Sequence, residues 1–345
     1  MRIGSNPAKA DSSLVKGYSH HRVIVPVYIP NQDGYFKEAL EITRLSLESL
    51  HLTARGRVVV TVISNGCAPE VVQELLRLKS LGWIEQLIID EQNRGKVNAV
   101  LSVARGAYEN FLTIADADIL YLPGWVETSE QLFHDFPECG FVAVSGKPTP
   151  RSRQASSTIV DAFLRRELRF KPVMSPEYPQ QISEELSNEE GILQWLLSAN
   201  RAGQLVVQRG DKTACVGGSH CIFTVRREVV DVMRREPILQ FKKAEDDWID
   251  APVDVAGWWR LSPTKRMARH MGNTHVTWID EEIERIRRET APDPQTAIEM
   301  CRDQPVACAR RRWKRPLPRI QRCVARWIRQ ALVPKSERPH FHVFR

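Results

Sequence analysis

Up to Gly146 the apolar residues alternate between two rhythms. Arg22-Val-Ile-Val-Pro-Val-Tyr28 is a continuous apolar run, the pattern of a strand buried on both faces. Phe36 to Leu50 then sets Leu40, Leu45 and Leu47 near helical spacing. Arg57 to Ser64 is rich in Val and Ile and ends on Ser64-Asn65-Gly66, a turn signal. Pro69 to Leu81 reads as helix, Ile84 to Asp90 as strand, Lys96 to Ala107 as helix, and Asn110 to Ala115 and Phe141 to Gly146 as strands. Strand and helix in strict alternation imply a Rossmann-like, mainly parallel sheet with helices on both faces. Ligands of such sheets bind beyond the carboxyl ends of the strands. That rule brings Tyr28, Asn65, Asn93 and Asp116 to one rim.

Beyond Thr149 the pattern is less regular. Ser152 to Leu168 reads as helix, and Met174 to Glu190, with Pro176 and Pro179, reads as a loop. Gln204 to Gln208 and His220 to Val225 read as strands around Gly217-Gly218, and Arg226 to Arg235 and Asp246 to Ala256 as helices. Glu281 to Arg288 and Pro294 to Arg302 complete the helical readings before the tail.

Charge changes the picture at one end. The chain has 345 residues and a net charge of +7, yet positions 309–345 hold twelve Lys/Arg against the single acid Glu337, leaving 37 basic and 41 acidic residues elsewhere. Within that tail, Ile320, Cys323, Val324, Trp327, Ile328, Ala331 and Leu332 share a helical face, with Arg319, Arg322, Arg326 and Arg329 mostly off it. A basic amphipathic helix over 317–333 fits an anionic membrane surface or the enzyme's own body. Nucleic-acid binding is not expected, since no recognition motif accompanies the charge. The seven cysteines are irregularly spaced with no Cys-x-x-Cys, which reads as free thiols in a reducing compartment. No apolar run approaches a membrane span and Met1 to Gly17 lacks the apolar core of a secretory signal, so a cytoplasmic enzyme is expected.

Three segments carry chemistry. Thr113-Ile-Ala-Asp116-Ala117-Asp118 runs a strand straight into two carboxylates that can meet at one point. Hard divalent cations prefer such oxygens and bridge them to phosphates; the bland alternative is an Asx turn. Asn93-Arg94-Gly95-Lys96 opens a helix, where free N–H groups and a cation attract phosphate, or where the cations are merely solvated. Glu245-Asp246-Asp247 precedes a helix and offers either first-turn acids or a general base.

In this order the segments resemble the family 2 inverting glycosyltransferases of the GT-A fold, over roughly Arg22 to His275. The resemblance rests on the opening strand, Asn65 at a base-binding strand end, Asn93, Gly95, Lys96 and Ala99 of an Asn-x-Gly-Lys-x-x-Ala element, Asp116-x-Asp118, Gly217-Gly218, and Glu245-Asp246 with Gly257 twelve residues beyond the Glu. It implies Mn2+ or Mg2+ held on the donor diphosphate by Asp118, Asp116 and a downstream histidine, His270 preferred over His275. It implies nucleoside contacts from Pro26, Val27, Tyr28 and Asn65, phosphate contacts near Asn93, Gly95 and Lys96, and catalysis by Asp246 with Glu245 beside it. The implied reaction moves a sugar from a nucleotide-diphosphate sugar, a uridine one for preference, to a glycan or lipid-linked acceptor in glycan or polysaccharide synthesis. Asn65 stands where relatives often have an acid. The implied organisation is an N-terminal extension over 1–20, a donor half over 21–148, an acceptor half over 149–278 and a C-terminal helical basic extension over 279–345. Two competing classes are a sugar-phosphate nucleotidyltransferase, disfavoured by Pro26-Val-Tyr-Ile-Pro30 where a Gly-rich loop belongs, and a non-catalytic carbohydrate- or nucleotide-binding protein.

Overall fold

The apolar run at the start forms β1 (His21–Val27), buried along almost its whole length. It pairs in parallel with β2 (Val59–Asn65), which pairs in parallel with β3 (Gln86–Asp90). On its other side β1 pairs in parallel with β4 (Phe111–Ala115). These contacts come from a computed structural model that describes residues 20–146, 154–173, 175–186, 190–239, 244–290, 318–335 and 338. Expectations for the N-terminal extension, the helix at Pro294–Arg302 and the start of the basic tail lie outside the described residues.

Alternation along β1 explains the layers. Val23, Val25 and Val27 join one buried cluster with Leu47 and Leu50 of α1 (Ala39–Ala54) and Val71 and Leu75 of α2 (Pro69–Ser80). Ile24 faces the opposite cluster with Val97 and Val100 of α3 (Lys96–Ala104). Successive side chains of a strand point to opposite faces, so a run apolar at every position needs cover on both.

The sheet has ten strands in the order β3-β2-β1-β4-β10-β6-β11-β9-β8-β7. β5 (Ile119–Tyr121) leaves it to pair with β12 (Ala268–His270) in a small second sheet. α4 (Trp125–Asp135) precedes β6 (Cys139–Ala143), and α5 (Ser156–Leu164) precedes β7 (Leu168–Lys171). α6 (Tyr178–Glu185) and α7 (Glu190–Ala202) lead to the antiparallel meander of β8 (Gln204–Arg209) and β9 (Lys212–Val216) against β7. β10 (Ile222–Arg226) runs antiparallel between β4 and β6 and ends in the short α8 (Arg227–Val230). A π-helical turn at Asp246–Asp250 continues into α9 (Ala251–Val255), followed by β11 (Trp259–Ser262) parallel to β6. α10 (Thr277–Glu289) and α11 (Pro318–Leu332) complete the chain. β1 to β4, β6, β11 and β8 run one way and β10, β9 and β7 the other, so the expected mainly parallel, helix-flanked α/β sheet is present.

Several readings change. Met174–Glu190, expected as a loop, contains α6: Pro179 sits at the helix start, where its missing N–H costs nothing, and Tyr178 and Ile182 are buried. The helix expected over Arg226–Arg235 stops at Val230. The one expected over Asp246–Ala256 opens in π-helical geometry. α11 matches its expected span, but its apolar face is divided. Ile328 is buried with α5 while Trp327 is exposed, and Arg329, expected in solvent, is buried. Burial pushes the Arg329 guanidinium down, with Arg326 adding to the effect, to about 10. Cys67, Cys139, Cys215, Cys221 and Cys323 are free thiols. No described helix is long and apolar enough to cross a membrane.

Candidate functional site

The strand order reverses beside β1: β2 and β3 build outward on one side, and β4 enters on the other. A crevice opens at such a switch point beyond the strand ends. Here Pro26, Val27, Tyr28, Asn65, Asn93, Gly95 and Lys96 line a hollow of about 240 Å³. Its floor is tied together by two asparagines. The Asn65 amide donates to Asn93 Oδ1 at 3.0 Å, and its carbonyl oxygen accepts the Arg94 N–H at 2.8 Å. Asn93 Oδ1 also accepts the Gly95 N–H at 2.7 Å. The Asn65 amide is thus the second donor to Asn93 Oδ1, and an aspartate in the same arrangement would set two acceptors face to face. The loops approach closely at Gly66, which has φ +79°, and where a Cβ would lie 2.7 Å from the Asn93 nitrogen.

The two carboxylates follow β4 directly. The Asp116 N–H donates to the Cys221 carbonyl at 2.8 Å, fixing the first turn after the strand. β5 then pairs antiparallel with β12, setting His270 opposite Ile119, and the Met271 N–H donates to the Asp118 carbonyl at 2.8 Å. A residue some 150 positions downstream is thereby delivered to the acidic pair by a short ladder. Ligand atoms of Asp116, Asp118 and His270 all lie within 4.8 Å of one another. His270 Nε2 stands 3.3 Å from Asp118 Oδ2, while Asp118 Oδ1 is buried with no hydrogen-bond partner. Burial holds the Asp118 carboxyl above the usual range, and the neighbouring Asp116 adds to that, against the opposing pull of His270 and Lys96. Two carboxylates with one orphaned oxygen suit Mn2+ or Mg2+, and the imidazole beside them is better accepted by Mn2+. His275 is placed elsewhere, its Nε2 2.9 Å from Asp280 Oδ1.

Lys96, first residue of α3, spans two acids. Its ammonium contacts Asp116 Oδ1 and lies 3.2 Å from Glu245 Oε1. Burial works against its charge, but Asp116 and Glu245 outweigh that and raise it further above the usual lysine range. Glu245 is pushed up by burial, yet Lys96 brings it below the ordinary carboxylate range. Glu245 therefore acts as a counter-ion.

Asp246 turns to a different group. It accepts from Gln154 Nε2 at 3.2 Å, and its carboxylate lies with His220 and Asp250 in a set whose ligand atoms are within 4.8 Å of one another. His220 Nδ1 is 3.0 Å from Asp250 Oδ2, and the buried Asp250 is 3.0 Å from Arg260, itself stacked over Phe141. Burial opposes the imidazolium, but the bond to Asp250 and its charge prevail, leaving His220 raised. π-helical turns concentrate at functional sites, and this one presents Asp246 and Asp250 together. Sequence reading placed His220 only at a strand's start and missed Asp250, Gln154 and Arg260. The available signal was Ser219-His220 directly after two glycines. Gly218 sits where a Cβ would overlap that of Ala143, so the backbone before His220 is pressed against β6.

No protein-family model and no curated protein sequence matches the chain. Among solved structures, the mannosyltransferase PcManGT from Pyrobaculum calidifontis, in complex with GDP-Man and Mn2+, is 13% identical, with 72% of this chain and 56% of that one covered and a TM-score of 0.41. Residues 1–349 of S. aureus TarS in complex with UDP are 12% identical, covering 78% and 64%, with a TM-score of 0.41. The UDP-GlcNAc complex of the same segment is 12% identical, covering 78% and 65%, with a TM-score of 0.40. The chain spans less than two thirds of the length of each of these structures.

Proposed function

We propose that this chain is a metal-dependent inverting glycosyltransferase that moves a sugar from a nucleotide-diphosphate sugar to an acceptor hydroxyl. The observation that carries this reading is the set Asp116, Asp118 and His270 at the switch point, beside the hollow lined by the ends of β1 and β2 and the start of α3. A base and ribose fit against Pro26, Val27 and Tyr28. The diphosphate then reaches the carboxylate set past Gly95 and the N-terminus of α3, whose free N–H groups favour an anion. Asp116, Asp118 and His270 would hold the cation. When bound, it supplies positive charge against the leaving diphosphate.

The acceptor half of the reaction falls to Asp246, which is close to the donor side through its neighbour Glu245 and Lys96. Asp246 takes the proton of the acceptor hydroxyl. The oxygen bonds to the anomeric carbon as the carbon–oxygen bond to the diphosphate breaks, and the electron pair leaves with the phosphate. Attack opposite the leaving group inverts the carbon. Gln154 holds the Asp246 carboxylate in place, with the His220–Asp250 pair beside it. In this reading 21–148 binds the donor and 149–278 the acceptor, within one continuous sheet.

The test is a thermal-shift screen of nucleoside diphosphates with and without Mn2+, since a ligand bound only by the folded chain raises Tm. A metal-dependent rise that picks out one base, lost in Asp118→Asn, is expected, together with hydrolysis of the matching nucleotide sugar. No shift with any diphosphate sinks the proposal. Pyrophosphate release from a nucleoside triphosphate and a sugar phosphate would point instead to nucleotidyl transfer.

A further inference from the structure

α11 carries more apolar surface than its place in the fold uses. One side closes the cluster beneath α5: Ala325 and Ile328 are buried with Ala155, Ile159 and Ala162, and Gln321 donates to Ser157 Oγ at 3.2 Å. The neighbouring side repeats at i, i+4 and i+7. Ile320, Val324 and Trp327 are 52%, 39% and 63% exposed there. A helix that only capped α5 would need one stripe, with polar residues opposite. Arg319, Arg322 and Arg326 continue the exposed arc beyond the apolar stripe, and Pro318–Leu332 contains no acid.

We propose that α11 docks the protein on an anionic lipid bilayer. Ile320, Val324 and Trp327 enter the boundary between headgroups and acyl chains, and the three arginines meet the headgroup phosphates. Charge selects this occupant. Positions 309–345 hold twelve basic residues and one acid, and basic residues near an anionic leaflet are drawn to its headgroups. A second copy would bring its own positive tail to the contact. Three partly exposed side chains also fall short of the roughly 800 Å² that each partner gives a stable protein interface. A bilayer needs no matching patch and accepts a narrow stripe.

The placement also indicates the kind of acceptor, a step that rests on the glycosyltransferase reading. α11 lies against α5, and Gln154, just before α5, holds Asp246. The acceptor side is thus one helix removed from the docking stripe, which suits an acceptor anchored in the same membrane.

Vesicle flotation of the full chain tests the docking. The full chain is expected to float with phosphatidylglycerol-containing vesicles, to float weakly with phosphatidylcholine alone, and to be partly released by high salt. Combining Ile320→Ser, Val324→Ser and Trp327→Ser should lower partitioning at least about tenfold while Tm holds, given the transfer free energy of three large apolar side chains. Arg319→Gln with Arg322→Gln and Arg326→Gln should erase the preference for anionic lipid. Failure of the full chain to float with anionic vesicles overturns the proposal, as does undiminished flotation of a folded triple-serine variant. If the triple-serine change instead abolishes a dimer seen by sedimentation, with no lipid binding, the stripe belongs to a second copy. Flotation does not depend on donor hydrolysis, so failure of the transferase reading would be seen separately.

Discussion

A half-buried charge is held by a partner of opposite sign fixed close by, and Lys96 and His220 both have one. Lys96 joins Asp116 to Glu245 and so couples the Asp116–Asp118–His270 set to the turn that carries Asp246. His220 is held in the same way by Asp250, with Asp246 near it and Lys96 and Glu245 the other charges that act on it. Its folded-state value is raised above 6.5. Its contribution to stability is therefore complete below that ordinary value and is lost as pH rises through the raised one. The Tm difference between the native chain and His220→Gln should be largest near about pH 5.5 and shrink toward about pH 8.5. A difference that grows with pH would contradict the hydrogen-bonded imidazolium. On the proposed role of Asp246 as base, Asp246→Asn should keep metal-dependent diphosphate affinity and lose turnover by about 10²- to 10⁴-fold, since a base acts only in the chemical step. Loss of affinity with turnover preserved would make Asp246 a donor ligand.

Among elements, α6 is the helix that sequence patterning read as a loop, and it supports the site. Glu185 at its end is buried against Arg266 and Arg269, and Glu184 reaches Arg269 at 2.6 Å. Arg269 lies in β12 beside His270, so α6 braces the strand that delivers the imidazole. Glu185→Ala leaves two buried guanidiniums short of a partner. Removing one member of a buried pair costs about 3–5 kcal/mol, so Tm should fall. Metal-dependent diphosphate affinity should fall with it, whereas unchanged affinity in a folded variant would mean that β12 stands without its brace. The parallel half was legible because β1 to β4 each hold a run of apolar, largely Val- and Ile-rich, positions bounded by turn residues. The strand-end rule put Asn65, Asn93 and Asp116 on one rim, and Gly95, Lys96 and Asp118 were read from the segments that follow those strand ends. β5, β11 and β12 are too short to show a period, and polar residues hid the burial of Tyr178 and Ile182. The meeting of His220 with Asp250 and Arg260 is a tertiary contact among three separate elements, which no local spacing encodes.

At the scale of the molecule, the chain is electrically divided, with its positive excess gathered in the tail and an acidic excess elsewhere. α11 ties the two parts together by packing on α5, and the helix has to serve a protein face and an outer face at once. Amphipathic spacing revealed the helix but could not say which apolar residues the body would take. Two isoleucines of α11 separate the roles. Ile328 is 1% exposed in the cluster with Ala155, Ile159 and Ala162, and Ile320 is 52% exposed on the outer stripe. Ile328→Ala opens a cavity that close-packed neighbours cannot refill and should cost about 2–5 kcal/mol. Ile320→Ala removes the same atoms from a site already in contact with water and should stay within about 0.5 kcal/mol. Denaturant melts of the full chain decide between them. Equal losses would show that the outer stripe is also covered in solution, and equal indifference would show that α11 does not pack on α5.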